Sequence, residues 1–358
     1  TPKELYLYET HGEALILPYG VLRDILPMIS SAKAYRAFTE RKTVKFDCSV
    51  PLDDYQRKAV NEVENQKYGI LQSPAGSGKT QMGIALMADL GLKTLWLTHT
   101  KDLITQSKER AELYMSSDLI GTITEGKVNI GSGVTFATVQ TMCVLDLERY
   151  RDIWDVVIVD ECHRCSGTPT AMTQFYKVLN NLAARYKFGL SATVHRSDGT
   201  IKATYALLGK VVYTVPEKAI ADRVMKVGIK SCFTGVKLSR ECLNTDGTLN
   251  YAKLITYLCK DFTRNHYISA RIAANAEHSS LILSDRLEHL KTLMQTLPRS
   301  MQEKSVMISG KMTSKTGKAA RKQAIEDMRT GKKKYLFATY SLAKEGLDIP
   351  RLERLYLT

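Results

Sequence analysis

Ser73-Pro74-Ala75-Gly76-Ser77-Gly78-Lys79-Thr80 is the run on which the reading of this chain turns. It follows an apolar, strand-like segment, Tyr68-Gly69-Ile70-Leu71-Gln72, and precedes Gln81-Met82-Gly83-Ile84-Ala85-Leu86-Met87-Ala88, which reads as a helix. Strand, glycine-rich loop, Lys-Thr and helix form the context of a phosphate-binding P-loop. Pro74, Ala75, Gly76, Ser77, Gly78, Lys79 and Thr80 are expected to wrap the anion, because backbone N–H groups of the loop and of the helix N-terminus point inward. Lys79 adds a full positive charge toward the terminal phosphates, and the Thr80 hydroxyl is suited to Mg2+. Ser73 stands where the pattern usually has its first glycine, a position serine can fill if φ stays negative. The bland alternative is a Gly/Ser surface loop with a stray lysine, and the flanking strand and helix speak against it. The loop alone says that a nucleotide binds and no more.

The 358 residues suffice for two or three domains with proper cores. At 44% hydrophobic and 25% charged residues, the composition is that of an ordinary globular protein. Lys+Arg 51 against Asp+Glu 37 gives a net charge of +14, which favours an anionic partner, nucleic acid first. Seven cysteines without framework spacing fit reduced thiols and a cytoplasmic setting. No apolar run reaches membrane-spanning length and no signal-peptide pattern opens the chain, so no membrane role is expected.

Residues 1–50 read as a small α+β accessory module. It has strands Glu4–Tyr8 and Ala14–Leu17 around a turn at Thr10–Glu13, a helix over Val21–Ile29 and a basic stretch over Lys33–Lys45. Residues 51–215 alternate strand and helix, the signature of a parallel α/β sheet. Strands are expected at Gly69–Gln72, Thr94–Leu97, Val134–Thr138, Val156–Val159 and Tyr186–Leu190. Residues 216–275 read as a linker with helical stretches, including Tyr251–Phe262. A second α/β unit covers 276–358, with strands Ser280–Leu283, Lys304–Ile308, Tyr335–Ala338 and Arg354–Leu357 and helices Arg286–Leu297 and Gly317–Thr330. Two such units with one P-loop point to a nucleotide held between related lobes.

A second run, Trp154-Asp155-Val156-Val157-Ile158-Val159-Asp160-Glu161-Cys162-His163, delivers two carboxylates at the C-terminal end of a buried strand, where α/β sheets place their sites. Asp160 is suited to holding Mg2+ and Glu161 to polarising an attacking water. A strand end with solvated acids is the alternative.

Asp160-Glu161-Cys162-His163 resembles the DExH box of superfamily 2 helicases, and further motifs follow in that family's order. The resemblance implies two tandem RecA-like parallel-sheet lobes and ATP hydrolysis with Mg2+. It also implies nucleic acid as partner, DNA favoured over RNA with little sequence preference, in a bacterial or phage-infected cell. Leu52-Asp53-Asp54-Tyr55-Gln56 is similar to the adenine-reading segment, with Gln56 as base contact, although many relatives carry Arg-Pro where Asp53-Asp54 stands. Leu95 to Leu103, with Thr100 and Lys101, resembles motif Ia. Ala137-Thr138-Val139-Gln140-Thr141 resembles the neighbouring strand-contacting motif, implying nucleic-acid contacts at Thr138, Gln140 and Thr141. Ser191-Ala192-Thr193 matches motif III, which couples hydrolysis to lobe movement, and His163 is expected to link the DExH box to it or to the second lobe. The extension Val194–Gly199 is similar to the XPB-like and phage UvsW-like branch. In the second lobe, Leu281–Arg286 resembles motif IV, and Ile308-Ser309-Gly310-Lys311 resembles a strand end that meets the nucleic-acid backbone. Phe337–Pro350 resembles motif V, implying a nucleic-acid contact at Thr339 and nucleotide contacts at Gly346 and Asp348.

Motif VI, which supplies an arginine finger in the family, would follow Thr358. A truncated second lobe and weak hydrolysis by this chain alone are therefore expected. A nucleotide- and nucleic-acid-binding regulatory module without turnover, an RNA helicase and a restriction-type motor subunit are alternatives within the same motifs. Cys162-His163-Arg164-Cys165 lacks the further ligands of a structural zinc site. The basic residues Lys311, Lys315, Lys318, Arg321 and Lys322, and the Gly331-Lys332-Lys333-Lys334 turn, are open to two readings: phosphate contacts or a solvated face.

Overall fold

The computed structural model describes residues 6–28, 43–47, 49–166, 169–194, 200–222, 227–310, 312, 314–343, 347 and 349–358. The chain divides into two compact units, Thr1–Val227 and Gly228–Thr358.

The first unit opens with an antiparallel hairpin, β1 (Glu9–His11) and β2 (Ala14–Ile16), and a short helix α1 (Leu22–Ile25) between 3-10 turns. The first hairpin strand thus lies later than the sequence predicts. His11 pairs with Ala14, and Gly12, at φ 58°, makes a tight turn of Gly12-Glu13. The expected helix Val21–Ile29 is likewise cut short: among its described residues only Leu22–Ile25 is α-helical, with Pro27 inside the 3-10 turn that follows. This module packs on the main sheet. Tyr19 sits edge-on to Tyr68, with centroids 4.7 Å apart, and a Cβ on Gly20 would meet the Tyr205 carbonyl oxygen at 2.3 Å.

After α2 (Asp54–Glu64) come β3 (Tyr68–Gln72), α3 (Lys79–Leu90), β4 (Thr94–Thr98), α4 (Lys101–Glu112), β5 (Ile120–Thr124), β6 (Lys127–Asn129), β7 (Val134–Thr138) and α5 (Val139–Val144). β8 (Val156–Asp160), α6 (Pro169–Asn181), β9 (Tyr186–Ser191), α7 (Ile201–Leu208) and β10 (Val211–Thr214) complete the unit. The sheet is eight-stranded, in the order β10-β3-β9-β8-β4-β7-β5-β6, parallel except for the β5–β6 pair. The expected strands occupy its centre. β6 and β10 are short, and with the five-residue β5 they lie toward the sheet's edges, where one-sided burial leaves a weaker sequence pattern.

Strand alternation sends Leu71, Trp96, Phe136, Ile158 and Phe188 into one buried layer and Ile70, Leu95, Leu97, Val157 and Val159 into the other. Two-sided burial explains why β8 reads as an unbroken apolar run. α3 lies tight on the first layer. A Cβ on Gly83 would sit 2.6 Å from Trp96 and 2.7 Å from Leu190, so a side chain there would lift the helix that carries Lys79 and Thr80.

In the second unit, α8 (Tyr251–Lys260) and α9 (Phe262–Ala273) meet at Asp261, whose carboxylate accepts the Arg264 N–H at 2.7 Å and so starts α9. β11 (Ser280–Ser284), α10 (Leu287–Thr296), α11 (Arg299–Glu303), β12 (Ser305–Ile308), α12 (Lys315–Arg329), β13 (Tyr335–Thr339), α13 (Tyr340–Ala343) and β14 (Arg354–Leu357) follow. Their four-stranded sheet, ordered β12-β13-β11-β14, is parallel throughout. Among the described residues, no helix is long and apolar enough to cross a membrane.

Candidate nucleotide and nucleic-acid sites

The loop after β3 is folded by its own hydroxyls. The Ser73 N–H donates to the Ser191 carbonyl oxygen at 2.9 Å, and the Ser73 and Ser77 hydroxyls are hydrogen-bonded. Ser77 Oγ in turn donates to the Pro74 carbonyl at 2.7 Å. The only described non-glycine residues with positive φ are Glu125 and Glu161, so Ser73 meets the condition for replacing glycine. Gly76 and Gly78, at φ 78° and 81°, turn the backbone into α3.

Gln56 is buried beneath this loop. Its Nε2 donates to the Ser77 carbonyl and its Oε1 accepts the Asp53 N–H, both at 2.9 Å. Tyr55 donates to the same Ser77 carbonyl at 2.9 Å. The residue expected to read a base is thus also a brace for the phosphate loop.

β8 ends one strand away from β3, with β9 between them. Glu161 takes the left-handed conformation, φ 50°, an uncommon backbone state for a residue with a Cβ and one found at sites that fix a side chain. It lies 4.0 Å from Lys79 Nζ through Oε1 and 3.2 Å from His163 Nδ1 through Oε2. His163 Nδ1 also lies 3.0 Å from Ser191 Oγ, whose own proton goes to the Thr193 carbonyl at 2.7 Å. Ser191 therefore accepts from His163, which makes Nδ1 the protonated nitrogen. Ser73, Ser191, His163, Glu161 and Lys79 form a connected chain of contacts from the loop to the acidic pair and back. Ala192 lies between the two partners Ser191 and Thr193.

Burial, and then the neighbouring Glu161 charge, push the Asp160 carboxyl up to about 6, against the pull of the Glu161 N–H, Lys79 and Ser107. Burial also acts to raise Glu161, but the His163 hydrogen bond and the Lys79 charge outweigh it and hold that carboxyl below its ordinary value. A buried acid whose donors among the described residues are Ser107 Oγ at 3.4 Å and the Glu161 N–H at 3.0 Å suits a divalent cation, whose charge would favour its ionised form. Glycines in left-handed turns, Lys79, Thr80 and Asp160 thus fit a Mg2+-nucleotide. Burial raises the Cys162 and Cys165 thiols well above their ordinary range, and the described residues hold no cluster of metal-ligating side chains.

β4 and β7 are neighbours, with Thr98 and Thr138 in register at their C-terminal ends. Thr100 caps α4 by accepting the Leu103 N–H at 3.4 Å, and Thr138 caps α5 by accepting the Thr141 N–H at 3.3 Å. Gln140 Nε2 lies 3.1 Å from His99 Nδ1, tying the two strand ends together. Two adjacent helix N-termini lined with hydroxyls suit strand phosphates. Lys101 pairs at 2.7 Å with Glu125 of the β5–β6 turn.

In the second unit, Gly310 and Thr339 follow or end β12 and β13 and line a cavity of about 890 Å3 at the sheet's C-terminal edge. Lys311, Gly346, Asp348 and His195–Gly199 lie outside the described residues. Of the basic turn, Lys333 Nζ donates to the Glu303 carbonyl at 2.6 Å and Lys332 lies 3.7 Å from Asp327. Tyr55, Ser107, His99 and Glu125 belong to these sites without having been singled out in the sequence. Each acts through a fold contact with no motif of its own, though Tyr55 and His99 lie inside quoted motifs.

Residues 49–196 match the family model of the type III restriction enzyme res subunit. The chain is 27% identical over 337 residues to the DNA 3'-5' translocase XPB2 of Sulfurisphaera tokodaii, covering 84% of this chain and 73% of that protein. It is 25% identical over 303 residues to a putative ATP-dependent RNA helicase of Acanthamoeba polyphaga mimivirus, covering 82% of this chain and 55% of that one. The Hef helicase domain of Pyrococcus furiosus shares the fold, with a TM-score of 0.53 at 14% identity over 85% of this chain and 88% of that one. The two units are RecA-like lobes.

Proposed function

We propose, from the premise that this chain is a superfamily 2 helicase of the XPB-like kind, that it is an ATP-driven DNA translocase or helicase. The observation that carries the proposal is the contact chain from Ser73 through Ser191 and His163 to Glu161 and Lys79. It joins a phosphate loop, a water-polarising acid and the serine of motif III through hydrogen bonds and one 4.0 Å ion pair.

In this reading, Lys79 and the amides of residues 75–80 hold the phosphates, while Thr80 and Asp160 hold Mg2+. Gly346 and Asp348 are assigned to the nucleotide by their motif. Glu161, kept ionised by His163 and Lys79, accepts a proton from the attacking water. Loss of the terminal phosphate removes the partner of Lys79 and changes the field at Glu161. His163 passes that change to Ser191, Ala192 and Thr193. Thr100, Lys101, Thr138, Gln140 and Thr141 hold strand phosphates at the first sheet, and Gly310, Lys311 and Thr339 at the second. Such contacts position a strand without reading its sequence.

The charge of +14 supports a nucleic-acid track, and the relative named as a DNA translocase supports DNA. The similarity to a putative RNA helicase makes RNA the necessary comparison. The test is ATP-dependent displacement of a labelled strand from matched DNA and RNA duplexes at several salt concentrations. DNA displacement that weakens steeply with salt supports the proposal. Displacement of RNA alone would overturn the choice of track, and the absence of both displacement and nucleic-acid-stimulated ATP hydrolysis would overturn the motor.

A further inference from the structure

The groups assigned so far to nucleic acid are read as contacts to its backbone. The second unit also has a feature suited to bases. Its cavity of about 890 Å3 falls within the roughly 300–1,000 Å3 usual for ligand pockets. α8, α9 and α10 wall it, and the C-terminal ends of β12 and β13 form its floor. At the rim stands Phe262, 72% exposed at the start of α9. His266, four residues on, lies on the same helix face, with ring centroids 4.4 Å apart and planes inclined by 33°. Lys260 and Arg286 share this rim, and neither is ion-paired among the described residues. Of the two acids that line the cavity, Glu288 is paired with Lys291 at 2.7 Å, and Asp285 precedes Arg286.

The wall behind the rings is rigid. Asn265 Nδ2 donates to the Cys259 carbonyl at 2.8 Å, and its Oδ1 lies 2.9 Å from His289 Nε2. His289 Nδ1 meets Ser284 Oγ at 2.8 Å, which ties α8, α9, α10 and β11 together. A solvent-facing phenyl ring on a locked helix contributes nothing to the core. Beside two free cations, it has the composition of a platform for single strands: a π-face for the base and positive charge for its phosphates.

We propose that Phe262 and His266 form a base-stacking platform for single-stranded DNA, with the strand's phosphates on Lys260 and Arg286 and its path continuing over Gly310 and Thr339. The proposal rests on the functional reading above and deepens it by adding a contact to bases. A protein partner seated on Phe262 is the competing occupant.

The test compares an eight-nucleotide oligothymidylate with the same strand made wholly abasic, binding each to the wild-type protein and to Phe262→Ala and Phe262→Trp. The platform predicts that Phe262→Ala binds oligothymidylate about ten-fold more weakly and Phe262→Trp binds it at wild-type strength. It also predicts that the abasic strand does not distinguish the three proteins. Circular dichroism and thermal melting should be unchanged, because Phe262 is exposed. Equal binding of oligothymidylate by wild type and Phe262→Ala, or an equal loss on the abasic strand, overturns the platform and leaves the motor standing. A wild-type protein that binds neither strand overturns the functional reading itself.

Discussion

Gln56→Ala separates two roles that a base-contacting motif does not distinguish. The side chain is buried and spends both ends on the backbone, with one hydrogen bond to the Ser77 carbonyl and one from the Asp53 N–H, each 2.9 Å. Ser77 keeps its bond from Tyr55, so the truncation orphans chiefly the Asp53 N–H and frees the loop. At about 1 kcal/mol net for each hydrogen bond, the first unit should lose about 2 kcal/mol. For a domain of its size that is a fall in Tm of about 4–8 °C. The functional consequence follows from the loop. If Gln56 braces it, pyrophosphate, GTP and ATP should all bind more weakly, each by a similar factor. Differential scanning fluorimetry and titration calorimetry with the three ligands would measure both effects. Unchanged Tm together with a loss confined to ATP would refute the brace and leave adenine contact alone as the role of Gln56.

Three further expectations follow from named contacts. Ser191→Ala removes one of the two acceptors of His163 Nδ1, leaving Glu161 Oε2, and should lower DNA-stimulated kcat about ten-fold with KM for ATP nearly unchanged, as measured by steady-state phosphate release. A raised KM with normal kcat would contradict a coupling role. Burial, and then Arg264, hold His289 down at about 4, so the native second unit keeps it neutral while the unfolded chain protonates near 6.5. The unfolded state then binds more protons, and stability should fall as pH drops from about 6.5 to about 4. His289→Gln should flatten that part of the melting profile. Gly83→Ala gains about 1 kcal/mol of helix propensity but forces a methyl against Trp96 and Leu190, which typically costs about 1–3 kcal/mol. A net loss of stability with weaker nucleotide binding is expected in thermal melts and nucleotide titrations.

The centre of each sheet was legible in the sequence because two-sided burial leaves a plain trace: Val156–Asp160 is apolar until its last residue and is fully buried. The P-loop was legible for a similar reason, since its chemistry and its turns use the same few residue types. β5, β6 and β10, toward the edges of the first sheet, carry no such trace. The N-terminal hairpin was displaced in the reading because alternation over Glu4–Tyr8 outweighed the turn signal at Gly12. At the sites, motif residues could be placed along the chain, but their partners could not. Ser107 reaches Asp160 across 53 positions, and Gln140 meets His99 across 41. The Phe262–His266 pair is visible as an i, i+4 spacing, but only its exposure on a helix beside the cavity gives it meaning.

The central claim is that Glu161 and Lys79 work on one nucleotide beside a nucleic-acid track. Phosphate release from ATP, with and without single-stranded DNA, for the wild type, Lys79→Ala and Glu161→Gln tests it most directly. The account predicts DNA-stimulated turnover in the wild type, weak for this chain alone, and none in either variant, with Glu161→Gln still binding ATP. Normal turnover by Glu161→Gln, or wild-type hydrolysis indifferent to DNA, would contradict it.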